Sequence, residues 1–406
     1  MKAEWKIALV SPAGYQGAPV WPTAIVGAKL LTVSEIDKKP GAKSQEKMAV
    51  SRPMSLARAL VAALLLMPVM GCSTLGYYQQ AVSGQLQLIV NRRDLDAVLS
   101  DPEVRPVVKQ KILLARRVSQ FAERELGLPV EDTFSTYVDV GSPYVVWSVF
   151  AASEFSLDLK KFCYPIAGCV SYKGYFSPNS AAQFSQSLAA QGLDVFYGGV
   201  AAYSTLGWFA DPLLNTFIER DDTRLAGLLF HELAHKIIYI PGDSRFNESF
   251  ATAIERAALL RWLQLQQQGD AFEDYLVLEQ QRSQVLALIK SAKVELTAIY
   301  ASTATDAVKR EGKAQVFEAM RARYKALVTT GQVGRVFSEW MASEINNAGI
   351  GALADYNDWV ASFEVWLANL DGNLPAFYRE VQQLATLDRK ERDAFLNQLA
   401  ATRTPE

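Results

Sequence analysis

The chain has 406 residues, half of them apolar, with 41 basic and 43 acidic side chains and a formal net charge of −2. That is ordinary globular composition, which excludes disorder and low complexity, and the length allows a large core while being long for one average domain. The balanced charge, without a basic stripe, gives no electrostatic case for nucleic acid as a partner.

Residues 1–47 show no sustained period of either kind and read as an upstream extension absent from the mature protein. Residues 48–71 follow the order of a lipoprotein export signal. Arg52 and Arg58 precede an apolar run from Ala59 to Met70, which is too short to span a bilayer comfortably. Val69-Met70-Gly71-Cys72 then resembles a bacterial lipobox, with Met70 where a smaller or branched residue is more usual. In that reading the chain is cut before Cys72, whose thiol and amino group are acylated to anchor it in the membrane. Ser73 is not the aspartate associated with inner-membrane retention, so the expected location is the bacterial envelope, facing the periplasm from the outer membrane. The alternative, a buried apolar helix with an incidental cysteine, accounts less well for the order of the segments.

The remainder, 72–406, is read as one α+β unit, predominantly helical, in three parts. From 72 to 130 the apolar residues recur at three- and four-residue spacing, giving helices over 76–100 and 105–128, with Gly127 and Pro129 closing the second. Between about 133 and 176, β-branched and aromatic residues alternate with turn signals, predicting a small antiparallel sheet with strands in 133–140, 143–152 and 154–159. Cys163 and Cys169 fall in this stretch. In an exported chain such a pair is most simply a disulfide; zinc binding by the pair is the runner-up, at a spacing wider than usual and with no second pair. A helix, a strand and an irregular Gly-containing loop follow over 180–218. From Asp222 nearly everything is helical, with active-site helices to 265 and a helical C-terminal part over 266–406.

The chain has two histidines, and both lie in this region, as His231 and His235 with Glu232 between them. Random placement would put them four apart in roughly 1 of 200 arrangements, before asking for the glutamate. Asp222 and Thr223 are good N-caps for a helix that runs through residues 224–239 until Pro241-Gly242 stops it. On that helix both imidazoles reach one point while Leu229, Leu233 and Ile237 face the core. Glu232 projects about 100° round the axis from His231, beside that point rather than at it. This is the arrangement in which two neutral imidazoles hold one zinc ion and a glutamate takes a proton from water. With no third histidine, the third ligand is a carboxylate or a thiolate, or comes from another molecule. The thiols are assigned elsewhere. Glu248 returns near His235 after a chain reversal at 240–245, with Asp243 and Glu255 as fallback ligands; its bland reading is a helix N-terminal glutamate favoured by the macrodipole. An oxyanion donor is also needed, and Tyr203 and Tyr239 are the candidates beside their simpler role as core aromatics. Asn346, Asn347 and Tyr356 are candidates for lining a cleft, or for loop and cap roles.

The segments "HELAH" and "NESFA" resemble the gluzincin metallopeptidases, whose third ligand is a glutamate in an Asn-Glu-x-x-Ala context. From about Cys72 to the end, "AGCVSYKGYF", "VAAYSTLGWFADPLLNTF", "HELAHKIIY" and "FNESFAT" resemble the bacterial predicted-aminopeptidase family of zinc-dependent lipoproteins. The resemblance implies a zincin-like core, a peptide substrate, His231, His235 and Glu248 as zinc ligands, and Glu232 as the base. Two features depart from the aminopeptidase gluzincins. The interval from His235 to Glu248 is shorter, and the Gly-Ala-Met-Glu-Asn motif that recognises a substrate amino group is missing. A second reading is a non-catalytic envelope lipoprotein, an interaction module that keeps zinc for stability.

Overall fold

The computed structural model describes residues 72–164, 168–202, 210–353 and 359–401; the readings placed on 1–71, Tyr203 and Tyr356 lie outside them. Helix α1 (Cys72–Val90), strand β1 (Arg93–Asp94), the short helix α2 (Leu95–Ser100) and the long α3 (Pro106–Leu126) open the fold. Helix α3 starts at a proline, which has no N–H to leave unpaired there. It ends at Gly127 in the left-handed region (φ 64°), whose N–H bonds the Ala122 carbonyl. Strands β2 (Thr136–Val138), β3 (Val146–Ala152), β4 (Phe162–Tyr164), β5 (Gly168–Val170) and β6 (Lys173–Tyr175) follow. Next come α4 (Pro178–Ala189), β7 (Asp194–Val200), β8 (Leu213–Leu214) and the single turn α5 (Asn215–Ile218). The rest is helical: α6 (Asp222–Ala234), α7 (Ser244–Leu265), α8 (Gly269–Ala301), α9 (Asp306–Thr329), α10 (Ser338–Ala342), α11 (Asn347–Leu353), α12 (Val360–Asn369), α13 (Leu374–Ala385) and α14 (Arg389–Ala401). The chain is α+β and mostly helical, as its patterning indicates. No helix of the described residues is long and apolar enough to cross a membrane.

The strands differ from the single antiparallel sheet expected. Among the described residues there are three ladders, ordered β1-β2-β8, β6-β3-β7 and β4-β5. Strand β3 is central to the second and pairs antiparallel with β7 along its whole length, Val146 opposite Val200 and Ala152 opposite Asp194. In the first ladder β2 and β8 run parallel, Tyr137 beside Leu213. Parallel strands need a long crossover, and the sequence between 138 and 213 supplies it. The stretch 154–159 is turn rather than strand. Ser156 N–H bonds the Ser153 carbonyl (3.1 Å) and Asp158 N–H bonds Ser156 Oγ (3.1 Å), so serine turn chemistry wins over the β-favouring side chains. Leu159 keeps only an isolated bridge to Ala152. In the β4-β5 hairpin Cys163 faces Cys169 and the two are joined as a disulfide, as expected.

Helices α6 and α7 are buried at the centre. Phe121 of α3 meets Phe230 and Trp262 (ring centroids 6.1 and 5.2 Å), clamping α3 onto both. On the other side Phe246 and Phe250 of α7 pack against Phe363 of α12, and Phe250 also against Phe377 of α13. Each such aromatic buries a large apolar area and fixes ring orientation, so α3 packs onto both central helices while α12 and α13 hold α7 through Phe246 and Phe250. Asn346 and Asn347 make structural hydrogen bonds, in keeping with the loop and cap alternative. Asn346 Nδ2 donates to the Val195 carbonyl (2.8 Å), and Asn347 Nδ2 donates to the Glu154 carbonyl (2.8 Å). They tie α11 to the ends of β3 and β7, because a buried amide needs several partners and strand-end carbonyls offer them.

Candidate metal centre

Helix α6 is capped one residue earlier than predicted: Asp221, not Asp222, accepts the Arg224 N–H (2.9 Å). The helix also stops sooner, at Ala234, with His235 as its C-cap residue rather than running on to 239. Beyond it, Lys236 and Ile237 N–H bond carbonyls only three residues back, and the Lys236 ammonium reaches Glu131 (2.9 Å) and Thr133 (3.0 Å). The β-branched residues Ile237, Ile238 and Ile240 then favour extended backbone over helix. Gly242 takes the left-handed region (φ 80°) at the reversal, which a side chain would resist.

Asn247 locks this connection. Its Oδ1 accepts Ile240 N–H and its Nδ2 donates to Ile240 O, both at 2.9 Å, and its side chain is buried. The next residue, Glu248, thereby points back at α6. His231, His235 and Glu248 are all buried, and one ligand atom from each lies within 4.8 Å of the others. His231 Nε2 stands 3.2 Å from Glu248 Oε2, and His235 Nε2 stands 3.7 Å from Glu248 Oε1. The two imidazoles meet edge to face, centroids 4.9 Å apart. Asp243 and Glu255 do not join this group. Asp243 caps α7 through Phe246 N–H and pairs with Arg392 (2.7 Å), both side chains buried. Glu255 is on the far side of His231, its Oε2 3.1 Å from Nδ1.

Electrostatics separate the two histidines. Burial works to lower the pKa of His231, but hydrogen bonds and charge from Glu248 and Glu255 outweigh it and raise it well above 6.5. Burial, against the attraction of Glu248 and with the repulsion of His231, takes His235 down to about 4. Both His235 nitrogens are buried and have no hydrogen-bond partner among the described residues. A buried imidazole left so is costly, and a metal ion taking the Nε2 lone pair removes the cost at that nitrogen. Two imidazoles and one carboxylate are also the donor set of catalytic zinc sites with an open position, and ligands about 2.1 Å from one tetrahedral ion stand about 3.4 Å apart, close to the separations here. The residues present therefore fit a metal ion.

Glu232 is buried one position along α6 from His231 and lines a small cleft with Phe134, Ala202, Asp211, Pro212, Phe217 and Leu228. Tyr239 follows in the connection, where burial and then the negative charge of Glu248 push its hydroxyl up to about 12, so it stays a proton donor at neutral pH. The histidine pair, Glu248 and Tyr239 are thus brought into one neighbourhood, with Glu232 beside it. Tyr275 joins from a part of the chain that the motifs do not reach; its hydroxyl donates to Glu255 Oε1 (3.1 Å). No spacing signals it, since it arrives from α8.

A family model described as "Putative aminopeptidase" matches residues 76–396. No curated protein and no solved structure matches the chain.

Proposed function

The chain belongs to the aminopeptidase family whose model it matches, and on that premise we propose that it is a zinc-dependent peptidase anchored to the bacterial envelope by a lipid on Cys72. In this proposal residues 1–47 precede the true start, 48–71 are the signal, and the mature protein faces the periplasm, on the outer membrane. The observation that carries the peptidase reading is the convergence of His231, His235 and Glu248, buried and within 4.8 Å of one another, with buried Glu232 directly following His231 on α6. A site that binds metal for stability alone has no use for such a neighbour.

A zinc ion bound by His231, His235 and Glu248 would supply a Lewis acid, polarising a peptide carbonyl and making water acidic enough to deprotonate near neutral pH. Glu232 accepts the proton of the attacking water and returns it to the departing amine nitrogen, so that one carboxylate serves as base and then acid. Tyr239 is the hydroxyl offered to the developing oxyanion, with Tyr203 the second candidate. The cleft beside Glu232 is largely apolar, which keeps bulk water from competing for the proton. Purified protein should hydrolyse short peptides, lose activity to a chelator and regain it with added zinc. Comparing free with N-blocked peptides reads exopeptidase against endopeptidase action. No zinc-dependent cleavage of any peptide in a diverse set would sink the proposal.

A further inference from the structure

We infer that Glu255 is a positioning residue for His231, accepting the Nδ1 proton so that the opposite nitrogen, Nε2, is turned toward the metal point beside Glu248, and that Tyr275 holds Glu255 in turn. The inference rests on the zinc reading above and concerns residues outside the ligand set.

An imidazole that gives one nitrogen to a metal carries its proton on the other, and what that second nitrogen bonds fixes the ring's tautomer and angle. His231 has such a partner. Its Nδ1 is 3.1 Å from Glu255 Oε2, while Nε2 faces Glu248 at 3.2 Å on the opposite side of the ring. The remaining oxygen of Glu255 accepts the Tyr275 hydroxyl at 3.1 Å, so both oxygens of this carboxylate are committed. Backbone shape is matched to it. Gly227 stands one helical turn before His231, and a Cβ there would lie 3.0 Å from Glu255 Oε1 and 3.0 Å from Leu259 Cδ1. Glycine leaves the room in which α7 brings Glu255 onto α6. His235 differs, with no hydrogen-bond partner at Nδ1 among the described residues, so its orientation comes from packing and from the metal. The pair is therefore asymmetric: His231 is set before metal arrives and His235 is fixed by it.

The test is zinc affinity, measured by competition with a chromophoric chelator on full-length wild type, Glu255→Gln, Glu255→Ala and Tyr275→Phe. Far-UV circular dichroism and unfolding of each apo protein check the fold, and visible spectra of the cobalt-substituted forms report ligand geometry. Loss of a partner of this kind weakens metal binding by about 10- to 100-fold. Glu255→Ala should fall at the large end, Glu255→Gln near the small end, since its amide oxygen still accepts from Nδ1–H, and Tyr275→Phe by several-fold. All three should bind one ion with an altered cobalt spectrum. Wild-type affinity and an unchanged spectrum in Tyr275→Phe and Glu255→Gln would overturn the inference even if Glu255→Ala failed to fold. Loss of metal in Glu255→Ala as complete as in Glu248→Ala would overturn it differently, by making Glu255 a ligand. A wild type that binds no zinc would instead fail the underlying zinc reading.

Discussion

Asn247→Ala tests the claim that the connection between the two central helices sets the site. The substitution removes both 2.9 Å hydrogen bonds to Ile240 and leaves Ile240 N–H and C=O without their side-chain partner. Each neutral bond contributes about 0.5–1.5 kcal/mol, and stranding a fully buried group costs about 1–3 kcal/mol. Ile240 is only half-buried, so water reaches part of what is freed and the lower figures apply. The expected loss is about 2 kcal/mol of stability in the apo protein, read as a lowered urea midpoint by circular dichroism. Because Glu248 is the next residue, its carboxylate should also be less well aimed, and zinc affinity should fall by about tenfold. Asn247→Asp should be at least as damaging, since a carboxylate cannot donate to Ile240 O and sets negative charge against it. Wild-type stability together with wild-type zinc affinity in Asn247→Ala would refute the reasoning: the reversal would then be held by other contacts.

Breaking the buried Asp243–Arg392 pair by Asp243→Ala strands a cation under α7 and should cost about 3–5 kcal/mol in urea unfolding, and a loss below about 1 kcal/mol would contradict its burial. Tyr239→Phe should keep zinc bound and lower kcat by about 10² with little change in KM, whereas an unchanged kcat removes Tyr239 as oxyanion donor. Cys72→Ala should release the protein from the membrane fraction or stall its precursor; unchanged partition with an unmodified wild-type cysteine would rule out the anchor.

The site is legible in the sequence because its chemistry depends on spacing. His231 and His235 share a helical face by arithmetic alone, and their isolation in a histidine-poor chain makes the pair conspicuous. Glu248 follows from counting a turn out and a turn back, although α6 ends five residues before the predicted stop. The difference is harmless, since the extended connection clamped by Asn247 brings α7 back to the same place. Glu255 illustrates what spacing leaves open. A carboxylate two turns beyond Glu248 shares its face, but which nitrogen of His231 it meets depends on the α6–α7 approach allowed by Gly227, and its partner Tyr275 comes from a third helix. The helical class is equally legible from periodicity. The parallel pairing of β2 with β8 is not, because two- and three-residue strands far apart in sequence carry no pairing signal of their own.

The central claim, that a metal held by His231, His235 and Glu248 works with Glu232 as the proton carrier, is tested most directly by measuring bound zinc and peptide hydrolysis together in three proteins. Wild type should hold one zinc per chain and cleave peptides. Glu232→Gln should hold zinc near stoichiometrically while activity falls by about 10² or more, and Glu248→Ala should lose metal and activity together. Near-wild-type turnover in zinc-loaded Glu232→Gln, or wild-type zinc affinity in Glu248→Ala, would contradict it.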